Sequence, residues 1–266
     1  MNRATFFEHF ELLADQPDAV AKLRGLVMQL AVRGQLVEQN SKDEAASKTL
    51  LRSGVDLKRW TVVVGDQRHT IPESWHWLQF GGVGEQRLGK MLDAQKNRGE
   101  SKPYLRNTNV QWMRFALDDV KEMRVEQDEE DELRLRKGDL LVCEGGEPGR
   151  CAIWRGEVPE MYFQKALHRI RPCSAILPDF LALHLQVDCR NEVLQGLFTG
   201  ATIKHLTGRS LSSYPVSIPP LVEQRRIVAK VDELMALCDE LEQRQQAARE
   251  VGAKLLDAMI HHMLKE

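Results

Sequence analysis

Pro219-Pro220-Leu221-Val222-Glu223-Gln224-Arg225-Arg226-Ile227 opens the last fifth of the chain and decides how the rest is read. A double proline cannot continue a helix from upstream, so it sets a hard start. From Ile227 an apolar seam runs through Val231, Leu234, Cys238, Leu241, Gln245, Ala248, Gly252, Leu255, Met259 and His262. Its steps alternate four and three residues, the spacing that keeps one helix face against a partner helix. At about 1.5 Å per residue, a helix from Leu221 to Met263 is a rod of roughly 60 Å, longer than most single domains. Ile227, Val231, Leu234, Cys238, Leu241, Leu255 and Met259 are the expected contacts to a helix of another chain. Gln245 and Gly252 interrupt the seam: a polar seam residue fixes register, and a glycine permits close approach.

Upstream of the rod the texture changes twice. Residues 4–54 read as helical. Asp18 follows Pro17 as an N-cap, and Val20, Leu23, Val27, Leu30 and Ala31 recur at helical spacing until Gly34 closes the helix. A second short helix is expected from Ser41, with Glu44 completing a capping box, toward Leu51. Short β-branched or aromatic runs then alternate with glycine and proline turns, at 61–64, 75–80, 140–143, 151–154, 166–170 and 214–218. Helices are expected at 179–186 and around 191–197. The predicted class is α+β: a helical lead-in over 1–58, a mostly-β globular domain over 59–217, and a coiled-coil helix over 218–266.

The bulk numbers bound the partners. The chain has 266 residues, 42% apolar and 29% charged, with a net charge of −2, so a nucleic acid must be met by a local basic patch. Five scattered cysteines without a C-x-x-C pair argue for reduced thiols rather than disulfides or a zinc site. Met1-Asn2-Arg3 leads into Phe6, Phe7, Glu8 and His9 with no continuous apolar stretch. Neither a signal peptide nor a membrane span is expected, and the expected location is cytoplasmic.

Several stretches approach catalytic patterns and fail on their details. Gly84-Glu85-Gln86-Arg87-Leu88-Gly89-Lys90 satisfies the phosphate-loop pattern G-x-x-x-x-G-K, but Met91 stands where a magnesium-binding Ser or Thr belongs. Gly145-Gly146-Glu147-Pro148-Gly149 follows an apolar strand, yet no amphipathic helix follows it, which opposes a dinucleotide loop. No Asn-Pro-Pro-Tyr or Asp-Pro-Pro-Tyr segment marks an amino-methyltransferase. Pro178-Asp179 runs into helix core rather than a nuclease Glu-x-Lys, and His261-His262 lies at the end of the rod. No catalytic and no metal-binding residue is assigned.

Two stretches have binding character. Between 87 and 114 stand Arg87, Lys90, Lys96, Arg98, Lys102, Arg106 and Arg114, opposed only by Asp93 and Glu100 and interleaved with Asn97, Asn107, Asn109 and Gln111. Cations neutralise phosphates, while Asn, Gln and Arg make paired hydrogen bonds to base edges. The stretch 199–209 joins glycines, hydroxyls and cations without an acid. The expected DNA contacts are Lys96, Arg98, Lys102, Arg106, Asn107 and Asn109 in the first stretch, and Thr202, Lys204, His205 and Arg209 in the second. A coiled-coil scaffold whose β-domain binds protein is the competing expectation.

Ile218 through Asp232 resembles the entry into the long helix of the specificity subunits of type I restriction-modification systems. The 199–211 stretch, Pro72-Glu73-Ser74-Trp75-His76-Trp77, and the run Leu26 to Val37 resemble further parts of that family. The resemblance implies a non-catalytic subunit that recognises double-stranded DNA and directs adenine methylation and restriction at a bipartite site. It implies methyltransferase subunits using S-adenosylmethionine and a restriction–translocase subunit using ATP and magnesium, with no cofactor in this chain. A full-length member is similar to two such units in tandem. This chain resembles one, which implies pairing with a second copy or another half-subunit.

Overall fold

The structure, a computed structural model, describes residues 18–63, 68–93 and 95–264. The expected helical stretch before residue 18, and the last residue of the expected strand at 61–64, lie outside them.

The body is built on shared strands. Strand β1 (His76–Gln79) pairs antiparallel with the last strand, β11 (Pro215–Ile218). Strands β2 (Gly84–Leu88), β7 (Leu140–Cys143), β8 (Cys151–Ile153) and β10 (Leu167–Pro172) form a sheet of order β2-β10-β7-β8. A second sheet has β3 (Glu100–Leu105) between β6 (Lys121–Val125) and β9 (Tyr162–Phe163), and a small hairpin joins β4 (Val110–Gln111) to β5 (Arg114–Phe115).

The unbroken apolar run Leu140-Leu141-Val142-Cys143 follows from cover on both faces. Leu140 and Val142 enter a core with Leu78, Phe80, Ile170 and Tyr214, whereas Leu141 and Cys143 enter a second core with Tyr104, Trp154, Tyr162 and Phe163. Successive side chains of a strand point to opposite faces, so one strand serves both cores. Strands β2, β3 and β6 were not expected from the sequence. They carry Gly-Glu-Gln-Arg-Leu, Glu-Ser-Lys-Pro-Tyr-Leu and Lys-Glu-Met-Arg-Val, with much of each left in contact with solvent.

A central helix, Pro178–Arg190, begins with proline at its first turn and is buried on two sides. Leu181, Ala182 and Leu185 cover the first core, while Phe180, Leu183 and Val187 join a third one. That third core contains Met28, Ala31 and Val32 of the lead-in helix Ala19–Val32, together with Ile227 and Val231 of the long helix Leu221–Met263. The lead-in helix ends before Gly34, whose φ of +71° a β-carbon would oppose. Asp18 occupies its N-cap position without a capping hydrogen bond, and its carboxylate instead pairs with Lys22 at 2.8 Å. The second helix is shorter than expected, Ala46–Arg52, because Glu44 pairs with Arg52 rather than closing a capping box on Ser41.

The long helix has the expected bounds, and its first turns are fixed to the body. Glu223 is buried and accepts from Gln39 Nε2 at 2.6 Å, and Arg226 pairs with Asp43 at 2.6 Å. The lead-in helix runs antiparallel beside it: Val32 and Ala31 meet Ile227, and Arg24 reaches Asp239 and Glu242 further along. This corrects one expectation. Ile227, Val231 and Cys238 are covered within the chain and are not free for a partner, and Leu234 and Leu241 are half-buried. Leu255 and Met259, by contrast, are 61% and 56% exposed.

Ser217 ties the helices to the body. Its Oγ donates to Val32 O at 3.0 Å, and His184 Nε2 lies 3.2 Å from the same oxygen. Behind it Asp188 accepts from Tyr214 and from Arg68 Nη1. Burial pushes the Asp188 carboxyl up, but His184, Arg68 and the Tyr214 hydroxyl outweigh it and hold it well below the usual carboxylate range.

Candidate nucleic-acid interface

One end of the β2-β10-β7-β8 sheet gathers both basic stretches. At that end β2 finishes, β10 begins, β7 finishes and β8 begins, with Leu88 opposite His168 and Cys143 opposite Leu167. Every connection there is cross-braced by backbone hydrogen bonds. Lys165 N donates to Lys90 O at 2.9 Å, Glu144 N to Ala166 O at 2.9 Å, and Leu206 N to Glu144 O at 2.7 Å. The loop 199–209 is thereby held against the turn that follows β7.

That turn is the joint between the two stretches. Gly145 forms an isolated bridge with His205, and Asn107 Nδ2 donates to Gly145 O at 3.2 Å. Arg150 Nη2 donates to Asn107 O at 3.0 Å from the far side of the turn. Gly146 has φ +80°, and a β-carbon there would lie 2.5 Å from Asn107 Nδ2, so only glycine lets Asn107 close in. The sequence of Gly145–Gly149 speaks only against a dinucleotide loop. The glycine-rich spelling of Gly145-Gly146-Glu147-Pro148-Gly149 is the available sequence signal, and in the structure Gly146 and Gly149 both adopt positive φ.

The loop 199–209 is itself well defined. Thr199 and His205 exchange backbone hydrogen bonds at 2.8 and 2.9 Å, closing its stem. Thr207 Oγ1 accepts from Ser210 N at 3.2 Å and caps the short helix Gly208–Ser213, on which Arg209 is exposed. Beneath it, His168 Nε2 donates to Leu206 O at 2.8 Å, and burial lowers the His168 pKa and favours its neutral form.

Thr202, Lys204, His205 and Arg209 are all exposed on this loop. Lys96 and Arg98 are exposed as well, and Lys96 lies 3.7 Å from Asp93. Exposed Lys165 joins this end of the sheet and was missed, because one lysine in a β-turn carries no sequence signal.

Four of the expected contacts, Lys102, Asn109, Arg106 and Asn107, are engaged by other groups of the chain. The Lys102 ammonium is surrounded by Glu100, Glu130 and Glu160 at 3.0, 3.3 and 3.6 Å; the hydrogen bonds it donates to the first two raise its pKa, and no phosphate can displace three acids easily. Asn109 is buried: Oδ1 accepts from Arg106 N at 3.0 Å, and Nδ2 donates to Ala116 O at 2.9 Å and Asp119 O at 3.1 Å. It holds a turn and has no spare hydrogen-bonding group for a base. Arg106 gives its Nη2 to Asp119 Oδ2 at 2.8 Å and Asp119 O at 2.7 Å. Asn107, half-buried, serves the joint described above.

Lys90, the lysine of the phosphate-loop pattern, is buried between Glu126 and Glu129. A lysine neutralised by two carboxylates is not a phosphate ligand. Hydrogen bonds from Lys90 and from the Arg98 amide hold the Glu126 carboxyl down at about 2.

Beside the 199–209 loop lies an open cleft of about 970 Å³, lined by Trp112, Pro148, Phe198, Ile203 and Lys204, with Met28 of the lead-in helix at its edge. Trp112 Nε1 donates to Glu147 Oε1 at 3.1 Å, and Arg150 takes the other oxygen at 2.6 Å, so the one acid of this rim is neutralised.

Residues 72–249 match the model of the type I restriction modification DNA specificity domain. The chain belongs to that family. The specificity subunit of the type I restriction enzyme EcoEI of Escherichia coli is 22% identical over 285 aligned positions, covering 97% of this chain and 47% of that protein. The EcoAI specificity subunit, also of Escherichia coli, is 24% identical, with the same coverage of 97% and 47%. The chain thus spans about half the length of the curated relatives it matches. Among solved structures, the HsdS subunit of Thermoanaerobacter tengcongensis superposes with a TM-score of 0.50 at 18% identity, over 91% of this chain and 52% of that one. A chain from a structure on complex assembly and conformational transition of the type I R-M system gives 0.54 at 20% identity, over 89% and 55%. The matched residues 72–249 thus take in the β-rich body and the greater part of the long helix Leu221–Met263.

Proposed function

We propose that this chain reads one half of a bipartite DNA site and directs a type I restriction-modification complex to it. The observation that carries this is the single sheet end where Lys204, His205 and Arg209 stand exposed on an acid-free loop, braced against the Asn107 turn. Cations placed this way contact phosphates and fix the register of the domain on the duplex. Base edges would then be read by polar groups of the same loops.

The chain contributes recognition and no catalysis. Methyltransferase subunits docked around the rod would bind S-adenosylmethionine and modify adenine, and a restriction–translocase subunit would bring ATP and magnesium. The exposed distal face of the rod, with Leu255 and Met259, would take a helix of a second copy or of another half-subunit. Two-fold pairing of like halves gives a palindromic site with an unspecified spacer. Such a complex would act in the cytoplasm. Expressed with a methyltransferase subunit, the chain should direct adenine methylation to one bipartite sequence. Methylation without sequence preference would contradict the proposal.

A further inference from the structure

The tip of the 199–209 loop carries a side chain that phosphate binding does not require. Ile203 is 65% exposed between Thr202 and Lys204, and its side chain overlooks the cleft shared with Trp112 and Phe198. A single exposed apolar residue is ordinary on a protein surface. What distinguishes Ile203 is how firmly it is held out. The Thr199–His205 hydrogen bonds at 2.8 and 2.9 Å close the stem, and Gly200, at φ +93°, packs so tightly under the tip that a β-carbon would lie 2.1 Å from Ile203 O. A β-branched side chain also has few rotamers to lose on being buried by a partner.

We propose that Ile203 is a wedge that enters a base step of the bound duplex and partly unstacks it. This rests on the DNA-reading function proposed above. The occupant follows from charge: the wedge sits among Lys204, His205 and Arg209 on a loop without an acid, continuous with the sheet end that would meet phosphates. Apolar wedges inserted between base pairs kink DNA and expose more of it to the protein. Pyrimidine–purine steps unstack most readily, so Ile203 adds sequence preference at a step it does not hydrogen-bond.

The test uses the full chain and a duplex carrying its selected half-site, with the fluorescent adenine analogue aminopurine scanned through each position. Wild-type protein should raise the fluorescence at one step. Ile203→Ala should abolish that rise and weaken binding about tenfold, with an unchanged salt slope. Ile203→Leu should keep the rise. Lys204→Ala should also keep it while lowering the salt slope by about 1. Binding by the wild-type chain with a silent probe at every position overturns the wedge alone, as does a rise that persists in Ile203→Ala. Binding to a protein partner that is lost with Ile203→Ala, with no binding to any duplex, overturns the wedge and the DNA-reading function together.

Discussion

Gln224 Oε1 accepts the amide hydrogen of Leu177 at 2.7 Å, one turn inside the long helix and just ahead of the central helix. The same side chain donates through Nε2 to Ala175 O and Pro219 O, both at 2.9 Å, and is fully buried. One amide thus fixes the direction of the rod relative to the recognition body. Gln224→Ala leaves a buried N–H and two carbonyls unpaired, so it should cost about 2–4 kcal/mol in urea unfolding. Hydrogen exchange should also show the first turns of the long helix opening well before the body does.

The histidines set a pH window. Burial lowers the His69 pKa to about 4, with the charges of His184 and Arg68 acting the same way, and burial also lowers His76 and His168. A histidine with a depressed folded pKa contributes stability above its unfolded value of about 6.5, and that contribution is lost as the pH falls toward the folded value. The unfolding free energy should therefore fall between about pH 6.5 and pH 4, and His69→Gln should flatten part of that slope.

Asp188 acts lower on the scale. Its carboxyl is held below its unfolded value, so its contribution is present above about pH 4 and is lost only in stronger acid. Asp188→Asn removes the carboxylate, itself buried, that pairs with half-buried Arg68, and should cost about 3 kcal/mol at neutral pH, read by thermal unfolding. The lead-in helix should loosen with it, because Ser217 and His184 link that network to Val32.

The rod divides into two parts with opposite sensitivities. Ile227→Glu places a charge in the third core and should unfold the lead-in contact within a monomer. Leu255→Glu and Met259→Glu lie where nothing among the described residues covers them, so they should leave the thermal transition within about 0.5 kcal/mol of wild type. Sedimentation should show the distal pair abolishing association with a partner helix, with the monomer fold intact.

Much of this was legible in the sequence, for physical reasons that also explain the errors. A double proline and a sustained heptad spacing, interrupted at Gln245 and Gly252, mark out the long helix. The pattern stated that the seam needs a partner but could not say whose helix supplies it, and the proximal half is covered by the chain's own lead-in helix. Leu140-Leu141-Val142-Cys143 announced a strand buried on both faces, whereas β3 and β6 are interspersed with charged residues and no apolar run marks them. Counting charges failed at Lys102 because the acids around it come from three separate segments, at 100, 130 and 160. Composition likewise cannot show that the hydrogen bonds of Asn109 are already used within the chain.

Lys204→Ala and Arg209→Ala should each lower the salt slope of duplex binding by about 1 with no change in melting temperature. Lys102→Ala should leave the slope unchanged, since its charge is held by Glu100, Glu130 and Glu160. Equal effects of all three substitutions would remove the distinction between the exposed loop and the acid-bound lysine.

The most direct measurement is selection of duplexes from a randomised pool by the full chain, wild type against the Lys204→Ala, Arg209→Ala double variant. The expected result is enrichment of one half-site by the wild type, and its loss in a variant that melts at the same temperature. A pool that stays random with the wild type, or the same motif recovered with the double variant, would contradict DNA reading at this end of the sheet.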